Sequence, residues 1–506
     1  MMSLFVLACS IFFGALAVYS PAFLGDYIVK FQQFGLVRVL VCGNDSTAST
    51  AVESNLHPTT AALATIDARV NDAFSRNATS DVVALLQAMV SIPSVSARHV
   101  GGRDHDPEQA ISEFLYRFAK RALVDTPEAT VTKHYVKGRA AFQHNNTFNV
   151  LIRLPPKSKE DEHAAPWQLF HSHVDTVSAE GMTVPPFTGE LNKDQTRVVG
   201  RGATDTKGSG AAMLIALLKR ARDENRKEGV ALVFCVDEEG GFTGVNAFVE
   251  ETLGSELAWL KPRFSVVGEP TSMQPVVTHN GVMTWNLETA GVAAHSSDPS
   301  RGVNALSIAA RTISHVEECW IAPLDATADL IPGKAVASLT MALSCGSANN
   351  IIPDSCLISV NRRLVPGESA RDTYEKLEKC LEEVRNTETK RLPASAPAPP
   401  FFVRQPAFRD IRSIHPLRRI GATSSAPTSF EANILALLKK AGVPDASLSG
   451  AAYATEACVY AEALNVPSVV LGPGTIADAH TKDESLAISQ LKSAENIYLT
   501  VMRSKE

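Results

Sequence analysis

A chain of 506 residues, 45% of them hydrophobic, is long enough to bury more than one core, so two or three domains are expected. Its formal net charge of −6 is mild for that length and its basic residues are dispersed. This argues against a nucleic-acid partner and for a small molecule or peptide.

Residues 1–25, MMSLFVLACSIFFGALAVYSPAFLG, carry no charged side chain, and about twenty mostly apolar residues can cross a bilayer as a helix. They read as a signal peptide or a membrane anchor, capable of N-terminal membrane association. Ala15-Leu16-Ala17 would allow cleavage, while the missing basic start keeps the anchor open. The expected location is the secretory pathway (secreted, vacuolar or membrane-anchored), with cytoplasmic or mitochondrial as the alternative. Residues 26–56 read as a linker. Three acceptor triplets, beginning at Asn44, Asn77 and Asn145, would suit glycosylation in a lumen. Beyond the leader the cysteines are an odd set with no C-x-x-C. Cys235 and Cys458 sit in apolar runs and read as buried thiols. Cys345 and Cys356 flank one turn and could pair in an oxidising compartment.

From residue 57 to about 125 the apolar spacing is helical, as in DVVALLQAMVSIPSVS, which stops at a proline. Strands follow: FNVLIRL, WQLFHS, GVALVFCVDEE and RFSVVGEP, alternating with helical stretches such as SGAAMLIALLKRARDE. That is the pattern of an α/β sheet covered by helices, and we assign residues 57–278 to it. Residues 279–388 differ. VMTWNLETAG and AVASLTMALSCG read as strands, GVNALSIAARTISHVEECW and ARDTYEKLEKCLEEVRN as helices, and together they describe an inserted α+β domain. The proline- and serine-rich stretch after residue 389 reads as a linker. SFEANILALLKKAG, EACVYAEAL and PSVVLGPG then return the chain to α/β, so 389–506 is linker plus the second part of the first domain.

Polar clusters stand at the strand ends, where open α/β sheets place their sites: HSHVDTV, GRGATDTKGSGAA, VDEEGG, VVGEPTS and LGPGTIADAHTKDE. Two imidazoles and several carboxylates converging on one edge would repel one another unless cations joined them. Divalent metal resolves that. Glu238 and Glu239, as successive strand residues, would point to opposite sides and so divide two roles, one binding metal and one moving a proton.

In this order HSHVDTV, GRGATDTKG, DEEGG, VGEPTSMQPV, AHSSDPSRGVNA, YATEA and LGPGTIADAHTKDE resemble the dinuclear zinc peptidase and deacylase family of acetylornithine deacetylase, succinyl-diaminopimelate desuccinylase, aminoacylase and carboxypeptidases. The resemblance spans roughly residues 80–500 and is strongest to acetylornithine deacetylase. It implies a mixed-sheet zinc-peptidase catalytic domain with a ferredoxin-like lid and dimerisation domain, and a homodimer. It implies His173, Asp205, Glu239, Glu269 and His480 as ligands of two divalent ions, most simply Zn2+ with Co2+ as an option, Asp205 bridging both. Asp175 would orient His173. Glu238 would be the general base for a hydroxide shared by the ions, and His295 would stabilise the oxyanion, often from a partner subunit. Asn350 and Arg363 would bind substrate from the lid, and Gly472 and Gly474 would let the backbone approach it. His171 matches no family ligand and reads as structural. Asn361, Asn280 and Thr206 depart from the family's usual aspartate, lysine and methionine, which puts side-chain specificity in doubt. The implied activity is hydrolysis of the amide of an N-acyl amino acid. The alternative is a secretory carboxypeptidase or dipeptidase acting on short peptides, and an inactive binding protein is disfavoured because no ligand or base is missing.

Overall fold

The computed structural model describes residues 60–96, 108–136, 147–157, 165–254, 257–326, 335–346, 348–422 and 426–504. The N-terminal segment 1–25, the linker 26–56 and the triplets at Asn44 and Asn145 lie outside them. Asn77 is described: it sits exposed in the turn after the first helix, at φ 63°. Among the described residues no helix is long and apolar enough to cross a membrane.

Three helices open the described chain, α1 (Thr60–Ser75), α2 (Val82–Val90) and α3 (Glu108–Ala122). Asp81 caps α2 by accepting the N–H of Val83. Then come β1 (Thr130–Tyr135), β2 (Phe148–Leu154), β3 (Trp167–His173), β4 (Arg197–Val199), α4 (Gly208–Ala221), β5 (Gly229–Cys235), a single turn α5 (Glu238–Gly241), α6 (Thr243–Gly254), β6 (Pro262–Val267) and β7 (Val276–His279). The first sheet has the order β1-β2-β5-β3-β6-β16-β7-β15, in which β15 (Ser449–Ala451) and β16 (Ser468–Val470) come from the far end of the chain. Its centre, β5-β3-β6-β16, is parallel.

Every residue of β3 and of β5 is buried, as expected of strands covered on both faces. Alternation sorts them into two layers. Phe170, Val230, Leu232 and Phe234 join the core under α1–α4 and the C-terminal helix Ile488–Met502, while Trp167, Leu169, Ala231, Val233 and Cys235 join the core under α6 and the helix Ala457–Ala463. His171 and His173 belong by the same alternation to the second face.

The inserted domain is built from β8 (Gly281–Ala290), the short β9 (Ala294–His295), α7 (Ala305–Val316), β10 (Val336–Cys345), β11 (Ile351–Ile352), β12 (Ser355–Leu364), α8 (Ala370–Arg391) and β13 (Val403–Arg404), with sheet order β10-β12-β8-β13. A β-α-β-β-α-β run in that antiparallel order is the ferredoxin-like arrangement expected. Met283, Trp285 and Leu287 of β8 and Ile358 and Val360 of β12 face the helices. The other face stays open, because the alternate residues of both strands are half-buried or exposed. A disulfide joins Cys345 to Cys356, as anticipated, and a second, unforeseen, joins Cys319 to Cys380. Cys235 and Cys458 are free and buried.

Two boundaries need correction. β7 stays in the first sheet up to His279, so the insert begins with β8 at Gly281. The stretch after residue 389 is not a linker. Its β13 and β14 (Arg412–Ile414) both pair with β8, which extends the lid to about residue 414. The proline-rich composition concealed two strands too short to show a period. α9 (Ser429–Lys440), which opens with a Thr428–Glu431 capping box, then leads to β15, α10 (Ala457–Ala463), β16, β17 (Ser485–Ala487) and α11 (Ile488–Met502).

Candidate functional site

The last residue of β3 carries the first ligand candidate. His173 is 1% exposed; its Nε2 lies 3.0 Å from Asp205 Oδ1 and 3.8 Å from Glu269 Oε1. The second oxygen of Asp205 turns the other way, with Oδ2 3.1 Å from His480 Nε2, and that nitrogen is 2.9 Å from Glu239 Oε1. Two ligand sets thus meet at one carboxylate: His173, Asp205 and Glu269 on one side, Asp205, Glu239 and His480 on the other, the atoms of each set lying within 4.8 Å of one another. All five sequence-predicted ligands are brought together.

The electrostatics fit cations. Burial pushes the carboxyls of Glu238 and Glu269 well up, with neighbouring carboxylates adding to it, and Glu239 rises for the same reason. Hydrogen bonds donated to the Asp205 and Glu239 carboxylates lift the His480 imidazole to about 10. A cluster of this composition, buried on the His173 side and open to solvent at His480, with imidazole and carboxylate donors split around one shared carboxylate, has the makeup of a dinuclear site.

Asp175 does more than the sequence implied. Its carboxylate accepts the backbone N–H of Glu238 and of Glu239, both at 3.0 Å. These are orphan donors at the start of α5, which an anion satisfies. The His173 ring meets Asp175 chiefly through the backbone, Nδ1 to carbonyl at 3.0 Å, with Oδ1 at 3.5 Å. Glu238 and Glu239 are therefore not successive strand residues. They open a helical turn, and it is the roughly 100° step between helix neighbours that separates them.

Glu484 is a residue that sequence reasoning passed over, although it stands in the quoted TKDE. Wholly buried, it accepts the N–H of Thr204 at 2.9 Å and of Asp205 at 3.1 Å on one oxygen. Its other oxygen takes the N–H of Gly202 at 3.1 Å and the Arg201 guanidinium at 2.6 Å. The loop that presents Asp205 is thereby gathered around one carboxylate. Thr206, where the family often has methionine, binds back through its hydroxyl to the His173 carbonyl at 3.2 Å.

The glycines make room within the protein itself. A Cβ on Gly472 would stand 2.4 Å from the Glu269 carbonyl oxygen and 2.5 Å from Ser209 Oγ. Gly474, at φ 84°, would press on the Thr204 side chain. Both allow the ligand-bearing loops of Glu269 and Asp205 to pack closely.

On the lid, strand alternation separates two neighbouring arginines. Arg362 is buried among the helices and bound to Glu368 at 2.7 Å, whereas Arg363 is half-buried on the open face, in register with Val282 and Val336. Asn361 shares that open face. His295 and Asn350 are neighbours at the lid edge: His295 pairs with Ile351, and Ser296 N–H donates to the Asn350 carbonyl at 2.9 Å. Both are exposed, and among the described residues neither touches the cage. Asn280 is buried at the hinge, its N–H donating to the Ala451 carbonyl at 3.0 Å.

His171 has the structural role expected of it. Nδ1 lies 2.7 Å from the Tyr460 hydroxyl and Nε2 meets Glu456, also buried. Cys235 stands close enough for the three to be compatible with an ion, and the ring itself is held between the Tyr460 hydroxyl and Glu456.

Comparison with known proteins agrees with this geometry. Acetylornithine deacetylase of Salmonella arizonae is 27% identical over 407 residues, covering 76% of this chain and 95% of that protein. A probable carboxypeptidase of Arthroderma gypseum is 26% identical over 444 residues, 84% of this chain and 85% of that one. Among solved structures, the M20 family metallo-carboxypeptidase Sso-CP2 of Sulfolobus solfataricus superposes with a TM-score of 0.62 at 15% identity, covering 83% of this chain and 98% of its own. Residues 169–504, which hold all five ligand candidates and Glu238, match the model described as Peptidase family M20/M25/M40. With its shared carboxylate, its paired ligand sets and its lid, the chain belongs to that family of metal-dependent hydrolases acting on amide bonds.

Proposed function

We propose that this protein is a two-zinc hydrolase that removes the acyl group from N-acyl amino acids, as acetylornithine deacetylase does. The observation that carries the reading is the Asp205 carboxylate, whose two oxygens address two separate imidazoles. His173, Asp205 and Glu269 would hold one ion and Asp205, Glu239 and His480 the other. Bound there, the ions would supply Lewis acidity to the amide carbonyl and acidify the attacking water.

The rest falls to this chain's side chains. Glu238 takes the proton of the attacking water and returns it to the leaving amine, and Asp175 fixes Glu238 in place through its backbone. Arg363 clamps the amino-acid carboxylate from the open face of the lid, a task for which a planar guanidinium is suited. His295 and Asn350, exposed at the lid edge, serve a neighbouring subunit's site in a homodimer formed through the lid, where β10 is an edge strand.

A carboxypeptidase or dipeptidase is the second reading, and the lid's two disulfides favour it. Such bonds persist in oxidising compartments, which with the apolar N-terminal segment supports a secretory, glycosylated protein and a peptide substrate. Purified protein assayed with zinc or cobalt on N-acetylornithine, other N-acyl amino acids and dipeptides separates the two. Acyl amino acids turned over faster than dipeptides support deacylation, the reverse order supports the peptidase, and failure on both removes each.

A further inference from the structure

Outside the two ligand sets of the cage, one further group of metal-ligand side chains is buried in the core. His171, Cys235 and Glu456 each present an atom within 4.8 Å of the other two, and all three residues are wholly buried. They come from separate parts of the chain: the middle of β3, the last residue of β5, and the residue that precedes α10. β3 and β5 run parallel, with Cys235 opposite His173. The group therefore lies beside the strand end that carries the first cage ligand, on the sheet face under α6 and α10.

A thiol, an imidazole and a carboxylate are donors of the kinds that hold zinc. The imidazole is already aimed: Nδ1 lies 2.7 Å from the Tyr460 hydroxyl, and Nε2 faces Glu456. A ligating imidazole uses this arrangement, with one nitrogen on the ion and the other donating to a neighbour that fixes the ring. The carboxylate is half used. One oxygen of Glu456 meets Nε2, while the other, Oε1, is buried and has no hydrogen-bond partner among the described residues. Among those residues His171 is also the carboxylate's one ion-pair partner. A buried carboxylate oxygen left bare is costly, and its presence in the core calls for a missing partner.

We propose that His171, Cys235 and Glu456 bind a structural zinc ion, separate from the two ions of the cage. Zn2+ displaces the Cys235 thiol proton and the proton shared between His171 and Glu456, and both protons leave to solvent. One dication then faces one thiolate and one carboxylate, a neutral group that an apolar core can hold. The ion ties the segment before α10, from the far end of the chain, to two central strands. The end of one carries His173, and the other leads to Glu238. Because no ligand is exposed, the ion is taken up as the chain folds. The inference does not rest on the amide-hydrolase reading.

Cobalt(II) distinguishes the sites, because thiolate-to-cobalt charge transfer absorbs in the near ultraviolet and neither cage set contains sulfur. The full chain, expressed in zinc-depleted medium with cobalt, is expected to carry about three cobalt ions and to show that band. Brief dialysis against a chelator should remove the cage ions, one of which is held by the exposed His480, and leave the band. Cys235→Ala is expected to lose the band and one ion. Cys458→Ala should keep both, since that thiol donates to the Thr455 carbonyl at 3.2 Å. About two ions and no band in folded wild-type protein overturns the proposal and leaves the hydrolase reading standing. A band that survives in folded Cys235→Ala overturns it as well. Should that variant not fold, the ion count and band of the wild type decide alone. A sulfur-bound ion in a protein that hydrolyses no substrate supports the proposal and removes the hydrolase reading instead.

Discussion

One carboxylate oxygen of Glu484 accepts the backbone N–H of Asp205 at 3.1 Å, so the residue shared by both ligand sets is held from behind by a second buried carboxylate. Arg201, bound to the same group at 2.6 Å, offsets its charge. Glu484→Gln keeps the shape but loses that charge and one acceptor. We expect zinc affinity to fall by about tenfold to a hundredfold, read by competition with a chelator. Unchanged affinity would show that the loop holds Asp205 without help.

Glu238→Gln separates metal binding from proton transfer. The cage set excludes Glu238, so the variant should retain both ions by elemental analysis, while kcat falls by about two to four orders of magnitude. Wild-type turnover in a metal-replete variant would refute its role as base.

His279 predicts a pH dependence of stability that is independent of metal. Burial depresses its pKa from 6.5 to about 4. The unfolded chain therefore binds a proton that the folded chain refuses. This contribution is fully present above about 6.5 and is lost as pH falls toward about 4. Between pH 7 and pH 5 the loss should be about 2 kcal/mol. Urea unfolding of metal-free protein at both values measures it, and His279→Gln should shrink the difference. An identical difference in wild type and variant would remove His279 from the account.

The Cys319–Cys380 disulfide closes a separation of 61 residues across the lid. Replacing both cysteines by serine should lower stability by about 4 kcal/mol if chain entropy in the unfolded state dominates. Denaturant midpoints of wild type and double variant test this. Thiol titration of the wild type that finds these two cysteines free would cancel the prediction and with it the support for an oxidising compartment.

Much of the site was legible because its residues sit in compact motifs at strand ends. His173 closes a strand whose apolar run is unmistakable, and Asp205, Glu239, Glu269 and His480 each follow or precede such a run. An inserted α+β domain was legible for the same reason, since β8, β10, β12 and the two helices show their periods, while its ferredoxin-like arrangement was implied by the family resemblance. Two strands of the lid, β13 and β14, span two and three residues and have no period to show. The pairing of Cys319 with Cys380 depends on where α8 packs, which local pattern does not encode.

The sequence by itself determined which side chains could bind metal and move protons, because chemistry resides in residue type and local order in periodicity. Only the tertiary structure decided how they divide the work. Asp205 faces two ways, Asp175 spends its carboxylate on the N–H groups of Glu238 and Glu239, Glu484 gathers the Asp205 loop, and Gly472 yields space to Glu269. Each of these is a contact between distant segments, fixed when buried backbone donors must find acceptors and close-packed loops admit no extra atom.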